Sequence, residues 1–388
     1  MKTVELDAAE TTGEAQTQEQ GALGWARFPL VTFIALRTCV VGVSLMARRL
    51  PEGLLFQTTL DAPLGDGLRR MPAIEGLCRW DCGWFERIAT HGYQQYNDTN
   101  FWPLFPLLGR IVAPVVGGNV QLALWLVANL ASLLSYLVIY RVFRDLSDER
   151  AARAGLLLFA LYPFAFFQGA AYPESLMILF SALATALALR GKHLSAGTAL
   201  GLGILSRHIT VVAGTALLAA QIRQRPNLRR FLFHPAFLGL VMPFVLAGGY
   251  MLFQYVRFGD PLAFWRARAI GWGDAAWWGV LHTFRTNGPE PRHWFFLVFS
   301  LLPGAGAVAL ATKKGWAELA AFAGAMMLLL YLVGAEALGR YSAACWPAFL
   351  PLGVWLSRRP QWEALAYGGL GMFQGLFLYL FVHQFPIL

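Results

Sequence analysis

From residue 28 to residue 382 the chain repeats one pattern, an apolar run followed by a short connector that often carries arginine or lysine. The runs occupy 28–47, 119–140, 153–169, 172–190, 193–222, 236–256, 293–311, 316–335, 342–357 and 362–382. Most approach the roughly 20 residues that a helix needs to cross a bilayer core of about 30 Å. Composition agrees, with 57% hydrophobic and 14% charged residues against roughly 45–50% and about 25% in soluble domains. The expectation is an all-α polytopic membrane protein of about 11 crossings, one transmembrane domain over 25–388 with no separate soluble domain.

Charge predicts the topology. The connectors Arg141/Arg144/Arg150/Arg153, Arg190/Lys192, Arg223/Arg225/Arg229/Arg230, Lys313/Lys314 and Arg358/Arg359 all belong on the cytoplasmic face by the positive-inside rule. Single crossings satisfy that demand except between Lys192 and Arg223, where an even number must fit into about 30 residues. A short re-entrant helix pair that turns near Ser206-Arg207-His208 solves the parity. The alternative is one long helix with Arg207 buried against a partner. Charge and broken backbone at membrane depth need protein or water around them, so the turn is expected to open outward.

The same parity puts the N-terminus inside, residues 48–118 outside as a large first extracytoplasmic loop, the 257–292 loop outside, and Arg340-Tyr341 at an outer helix boundary. Three outer loops are thus expected to meet over the turn. Residues 1–24 are polar and acidic, without a basic stretch leading into an apolar one, and read as a disordered cytoplasmic tail rather than a cleaved signal. The net charge of +9 sits in the connectors instead of forming a basic stripe with interleaved aromatics, so it sets topology and does not point to nucleic acid.

The densest chemistry lies in residues 79–106. Arg79-Trp80-Asp81 stands between Cys78 and Cys82, followed by Thr90-His91-Gly92-Tyr93 and Phe101-Trp102-Pro103. The two cysteines lack the second pair of ligands that a structural zinc site needs, and no metal site is expected. A local disulfide, if the loop faces an oxidising compartment, and two free thiols are both open. Asp81 either acts as a base, its basicity raised by the flanking Trp80 and Trp84, or caps a short helix from about Gly83 to Ala89.

This segment resembles the GPI mannosyltransferase II (PIG-V) family and its prokaryotic relatives. The resemblance rests on Trp80-Asp81, Phe85, Ile88-Ala89, His91-Gly92-Tyr93, Asn100-Phe101 and Pro103-Leu104-Phe105-Pro106. Tyr172-Pro173-Glu174-Ser175, Leu205-Ser206-Arg207 and Arg340-Tyr341 are similar to its later elements, although His208-Ile209-Thr210 departs from the usual sequence after the mid-chain arginine. The resemblance implies an integral-membrane enzyme of the glycosyltransferase C superfamily. Its donor would be a polyprenyl-phosphate sugar, most simply mannose, and its acceptor a glycolipid or other hydroxyl at the extracytoplasmic face. That face would be the periplasmic side of a bacterial inner membrane, or the ER lumen in a eukaryote.

Such a transfer has a leaving group that needs little protonation, so a single general base suffices. The resemblance assigns that role to Asp81. Arg207 and Arg340 suit the lipid phosphate, because a planar guanidinium fork matches phosphate oxygens, with His208 beside Arg207. His91, Trp80, Tyr93, Tyr172, Glu174 and Tyr341 are candidates for substrate contacts, and each also has a structural role open to it: a turn hydrogen bond for His91, an interfacial ring for the aromatics, a helix-dipole carboxylate for Glu174. Neither a Walker element nor paired acids for a nucleotide sugar are present; no cofactor is expected beyond the lipid-linked donor. The alternative is a transporter or flippase of a lipid-linked sugar, which would favour internal repeats.

Overall fold

The computed structural model describes residues 24–49, 71–224, 234–272, 279–286 and 290–387; residues 1–23 of the expected tail and 50–70 of the 48–118 loop lie outside them. Besides one turn at Pro72–Glu75, its helices are α1 (Arg27–Ala47), α2 (Cys82–His91), α3 (Leu104–Val112), α4 (Val120–Leu146), α5 (Glu149–Leu161), α6 (Glu174–Leu189), α7 (His193–Ser206) and α8 (Gly214–Gln224). They continue with α9 (Leu238–Phe258), α10 (Ala263–Trp272), α11 (Gly279–Thr286), α12 (Pro291–Ala311), α13 (Ala317–Val333), α14 (Ala335–Leu338), α15 (Phe349–Ser357) and α16 (Glu363–Val382). Among the described residues α1, α4, α9, α12, α13 and α16 are long and apolar enough to cross a membrane. This is an integral membrane protein.

Local chemistry sets the helix ends. Asn119 caps α4 through Oδ1 on the Leu122 amide at 3.0 Å, and Asp148 caps α5 on the Ala151 amide at 2.8 Å; each side chain satisfies a backbone donor the first turn would orphan. The run 153–169 stops being α-helical at Leu161, where Pro163 disfavours helical backbone for Tyr162 and a 3-10 turn over Ala165–Gln168 follows. Likewise, 342–357 is not one helix: 3-10 turns at Ser342–Ala344 and Trp346–Ala348 precede α15, because Pro347 has no N–H to continue a helix through it.

Helices approach closely where glycines meet backbone. A Cβ on Gly197 of α7 would lie 1.9 Å from the Gly239 carbonyl of α9, and one on Gly353 of α15 would lie 2.4 Å from the Gly155 nitrogen of α5. Small residues let backbones pack without a hydrophobic drive, which is absent between helices in lipid. In α1, Arg37 donates to Ser132 Oγ of α4 at 2.9 Å. Its guanidinium occupies the space beside Gly169, where a Cβ would stand 2.0 Å from Nη1.

Among the described residues the basic connectors gather at one end of the bundle; Arg225, Arg229 and Arg230 lie outside them. Arg190 pairs with Asp145 (3.2 Å), Arg223 with Glu318 (2.6 Å), Arg150 with Glu363 (3.5 Å), and Trp316 donates to the Leu146 carbonyl (3.3 Å). At this end the first residue of α7, His193, is bonded to the last of α8, Gln224, at 2.8 Å. The two helices therefore leave and return at the same end, with the chain reversing at Arg207. The 193–222 run forms the expected helix pair and not one long helix.

Candidate active site

At the reversal Arg207 has extended backbone (φ −158°, ψ 123°) between α7 and a 3-10 turn over His208–Ala213. The Thr210 hydroxyl donates to the Arg207 carbonyl at 2.7 Å and that of Ser206 to the Gly203 carbonyl at 2.6 Å, absorbing backbone acceptors that the break releases. The side chain of Arg207 reaches Glu174 at the first turn of α6 (Nη2···Oε1 2.9 Å) and Asp81 (Nη2···Oδ2 3.7 Å).

Asp81 is fixed from several directions. Cys78 and Cys82 form a disulfide around it, the Tyr172 hydroxyl donates to the Arg79 carbonyl at 2.8 Å, and Arg79 Nε donates to the Val382 carbonyl at 3.2 Å. Trp80 takes the left-handed conformation (φ 52°), which costs a non-glycine residue on the order of 1–3 kcal/mol and persists only where its surroundings enforce it. Asp81 stands at the N-cap position of α2, yet its side chain makes no capping bond. The carboxylate points instead to Arg340, whose Nη1 lies 3.0 Å from Oδ2.

Arg340 follows α14, and its Nε lies 3.1 Å from Glu174 Oε1. Glu174, 2% exposed, thus holds both arginines on one oxygen, while Oε2 is buried without a hydrogen-bond partner. The Tyr341 hydroxyl accepts from Arg340 Nη2 at 3.2 Å, and its ring centroid is 5.1 Å from both guanidinium carbons. Tyr172 lies under Arg340 at 5.5 Å. Two carboxylates and two guanidiniums therefore share one desolvated cluster, framed by rings. Buried charges are tolerable only in such mutual compensation.

Of the residues singled out in the sequence, Asp81, Tyr172, Glu174, Arg207, Arg340 and Tyr341 come together, with Trp80 adjoining Asp81. His208 turns away from the carboxylates to rings of Trp102 (5.9 Å) and Phe264 (6.2 Å). His91 is exposed at the far end of α2, roughly 15 Å along the axis from Asp81 at 1.5 Å per residue. Tyr93 packs its ring on Tyr250 and Phe253 and donates to the Phe101 carbonyl at 2.6 Å. Neither His91 nor Tyr93 joins the cluster.

The 48–118 and 257–292 loops meet beside the cluster. Tyr96 donates to Asp260 at 2.6 Å; this bond, the Leu262 amide and Arg266 hold the Asp260 carboxyl below its usual range. Phe264 of α10 stacks edge-on to Trp102 at 5.2 Å. On the same face of α10 one turn later stands Arg268, which sequence motifs did not single out; it interacts electrostatically with both His208 and Tyr341. Helical periodicity, i to i+4 from Phe264, was the signal that could have found it.

Comparison with known proteins adds the following. A model of the dolichyl-phosphate-mannose-protein mannosyltransferase family matches residues 102–248. Among curated proteins no relative matches. The structure of ArnT from Cupriavidus metallidurans bound to undecaprenyl phosphate is similar with a TM-score of 0.58 at 16% identity, covering 94% of this chain and 77% of that one. ArnT in the apo state gives 0.55 at 19% identity over 90% of this chain and 63% of that one. The chain has the glycosyltransferase C-type fold.

Proposed function

We propose that this protein is a glycosyltransferase that moves a sugar, mannose in the first instance, from a polyprenyl-phosphate donor to a hydroxyl of a glycolipid or other acceptor. The reaction inverts the anomeric carbon and takes place at the end of the bundle away from the basic connectors, on the extracytoplasmic side by the positive-inside rule. The observation that carries this is the Asp81 carboxylate held 3.0 Å from Arg340 and 3.7 Å from Arg207 within a glycosyltransferase C-type fold. Support also comes from the PIG-V resemblance around Trp80-Asp81 and from the mannosyltransferase family model over 102–248. The structurally similar ArnT was solved with undecaprenyl phosphate.

In the mechanism, Asp81 takes the proton of the acceptor hydroxyl as that oxygen attacks the anomeric carbon. The bond from that carbon to the phosphate oxygen breaks, and the lipid phosphate leaves with the electron pair. Both ion pairs of Asp81 use Oδ2, which orients Oδ1 for the acceptor. The guanidinium N–H groups of Arg207 and Arg340 face the departing oxygens, where preorganised donors lower the barrier. Glu174 keeps the two arginines at fixed separation, and Tyr341 and Tyr172 exclude water around them.

Two measurements test this. Mass spectrometry of gently purified protein should find a co-purified polyprenyl phosphate or its glycosylated form. A transfer assay with short-chain polyprenyl-phosphate mannose and with donors carrying other hexoses should give lipid-dependent product that Asp81→Asn abolishes. Movement of the lipid-linked sugar across the membrane with no transfer to any acceptor would instead establish a transporter.

A further inference from the structure

Arg207 and Arg340 face two carboxylates, Asp81 and Glu174. The cluster therefore carries two positive and two negative charges and no surplus. A lipid-linked sugar is a phosphodiester with one negative charge, and once the sugar leaves, the lipid phosphate becomes a monoester carrying up to two, since its second ionisation lies near neutrality. N–H groups of balanced arginines can orient that phosphate; they cannot neutralise it.

The last turn of α9 and helix α10 supply three arginines, and they differ. Arg257 donates to the Tyr93 carbonyl at 3.4 Å. Arg266 is paired with Asp260 at 2.9 Å, with its side chain 66% exposed. Arg268 is partly buried, and no described carboxylate lies within ion-pair distance of it. Its helix is firmly seated: Ala263 and Ala267 are fully buried on one face, and Phe264 packs on Trp102 and His208. Arg268 stands one turn beyond Phe264 on the same face of α10, and the Phe264 ring packs on His208, which directly follows Arg207.

We infer that Arg268 is the cation that receives the phosphate of the lipid-linked donor, an inference that rests on the glycosyl-transfer function proposed above. With Arg268 counted, the described residues of the site carry one positive charge in excess, matching the diester. As the bond between the anomeric carbon and the phosphate oxygen breaks and its electron pair passes to the phosphate, the attraction to Arg268 grows. The contact thus favours the transition state over the bound donor. The proton of the acceptor goes to Asp81, so charge and atoms balance without a further reactant.

The test uses the full-length protein in lipid nanodiscs, with a short-chain prenyl phosphate and inorganic phosphate as probes. Binding is measured for the wild type, Arg268→Gln, Arg268→Lys and the neighbouring Arg266→Gln, with melting temperature as the check on folding. Arg268→Gln should weaken prenyl phosphate binding about tenfold to a hundredfold, the loss expected of a hydrogen bond to a charged group. Arg268→Lys should restore part of the loss, and Arg266→Gln should bind as the wild type does. Equal affinity in wild type and Arg268→Gln, with the wild type binding well, overturns the role of Arg268 alone. A wild type that binds no prenyl phosphate overturns the glycosyl-transfer function and this inference with it, and inorganic phosphate binding as tightly as the lipid overturns the lipid-linked donor.

Discussion

Arg340 Nη1 lies 3.0 Å from Asp81 Oδ2 across 259 residues of sequence, and Glu174 Oε1 binds the same arginine through Nε at 3.1 Å. The start of α2 and the segment after α14 are thereby joined at one point. Asp81 could have spent its carboxylate on the first turn of α2; the arginines draw it away because a charge-assisted ion pair in a desolvated setting outweighs a cap worth about 1 kcal/mol.

Asp81→Asn keeps the shape of the side chain and removes the base. Turnover should fall by roughly 10²–10⁴-fold while prenyl phosphate affinity stays near that of the wild type. Transfer at an undiminished rate in the purified variant would assign the base elsewhere.

Glu174→Gln removes the charge that both arginines share in a nearly solvent-free position. Breaking a buried pair costs about 3–5 kcal/mol, so the melting temperature in nanodiscs should drop markedly and activity with it. A variant that melts with the wild type would show that Asp81 alone compensates Arg207 and Arg340.

Gly197→Ala should destabilise the protein by about 1–3 kcal/mol through overpacking, because the new methyl meets the Gly239 carbonyl of α9 at 1.9 Å. Gly248→Ala, on the same α9 but with open space at its Cβ position, is the control and should melt as the wild type does. Equal melting of both variants would contradict the close approach of α7 and α9.

Thiol alkylation of the denatured, unreduced protein should label only Cys39 and Cys345, and reduction should add Cys78 and Cys82. Full labelling before reduction would contradict the bond. With Cys39 and Cys345 replaced by alanine, a membrane-impermeant reagent added outside intact cells or right-side-out vesicles should label Gln94→Cys and spare Arg358→Cys. The reverse pattern would invert the orientation.

Much of this was legible in the sequence for physical reasons. Hydrophobic runs and basic connectors give spans and parity, and parity alone predicted the reversal at Arg207 that the His193–Gln224 bond closes. Short motifs singled out Asp81, Tyr172, Glu174, Arg207, Arg340 and Tyr341, six residues that converge from distant parts of the chain. Sequence could not show that Glu174 serves both arginines, since which oxygen faces which guanidinium depends on helix rotation. Nor did it separate His91 and Tyr93 from the cluster: adjacency within 80–93 hides the length of the intervening helix. Arg268 stayed silent because an arginine among Trp265, Arg266 and Ala267 carries no motif.

Arg37 has a consequence for the order of assembly. Its partner Ser132 comes 95 residues later and the glycine that makes room for it later still, so a chain inserted in sequence order holds α1 in the bilayer with its arginine unmatched. An unpaired arginine at membrane depth is costly and drags water and headgroups toward it. Docking of α1 is thus held back until α4 and the 165–169 turn have formed, so its place in the bundle is set by structure built after it.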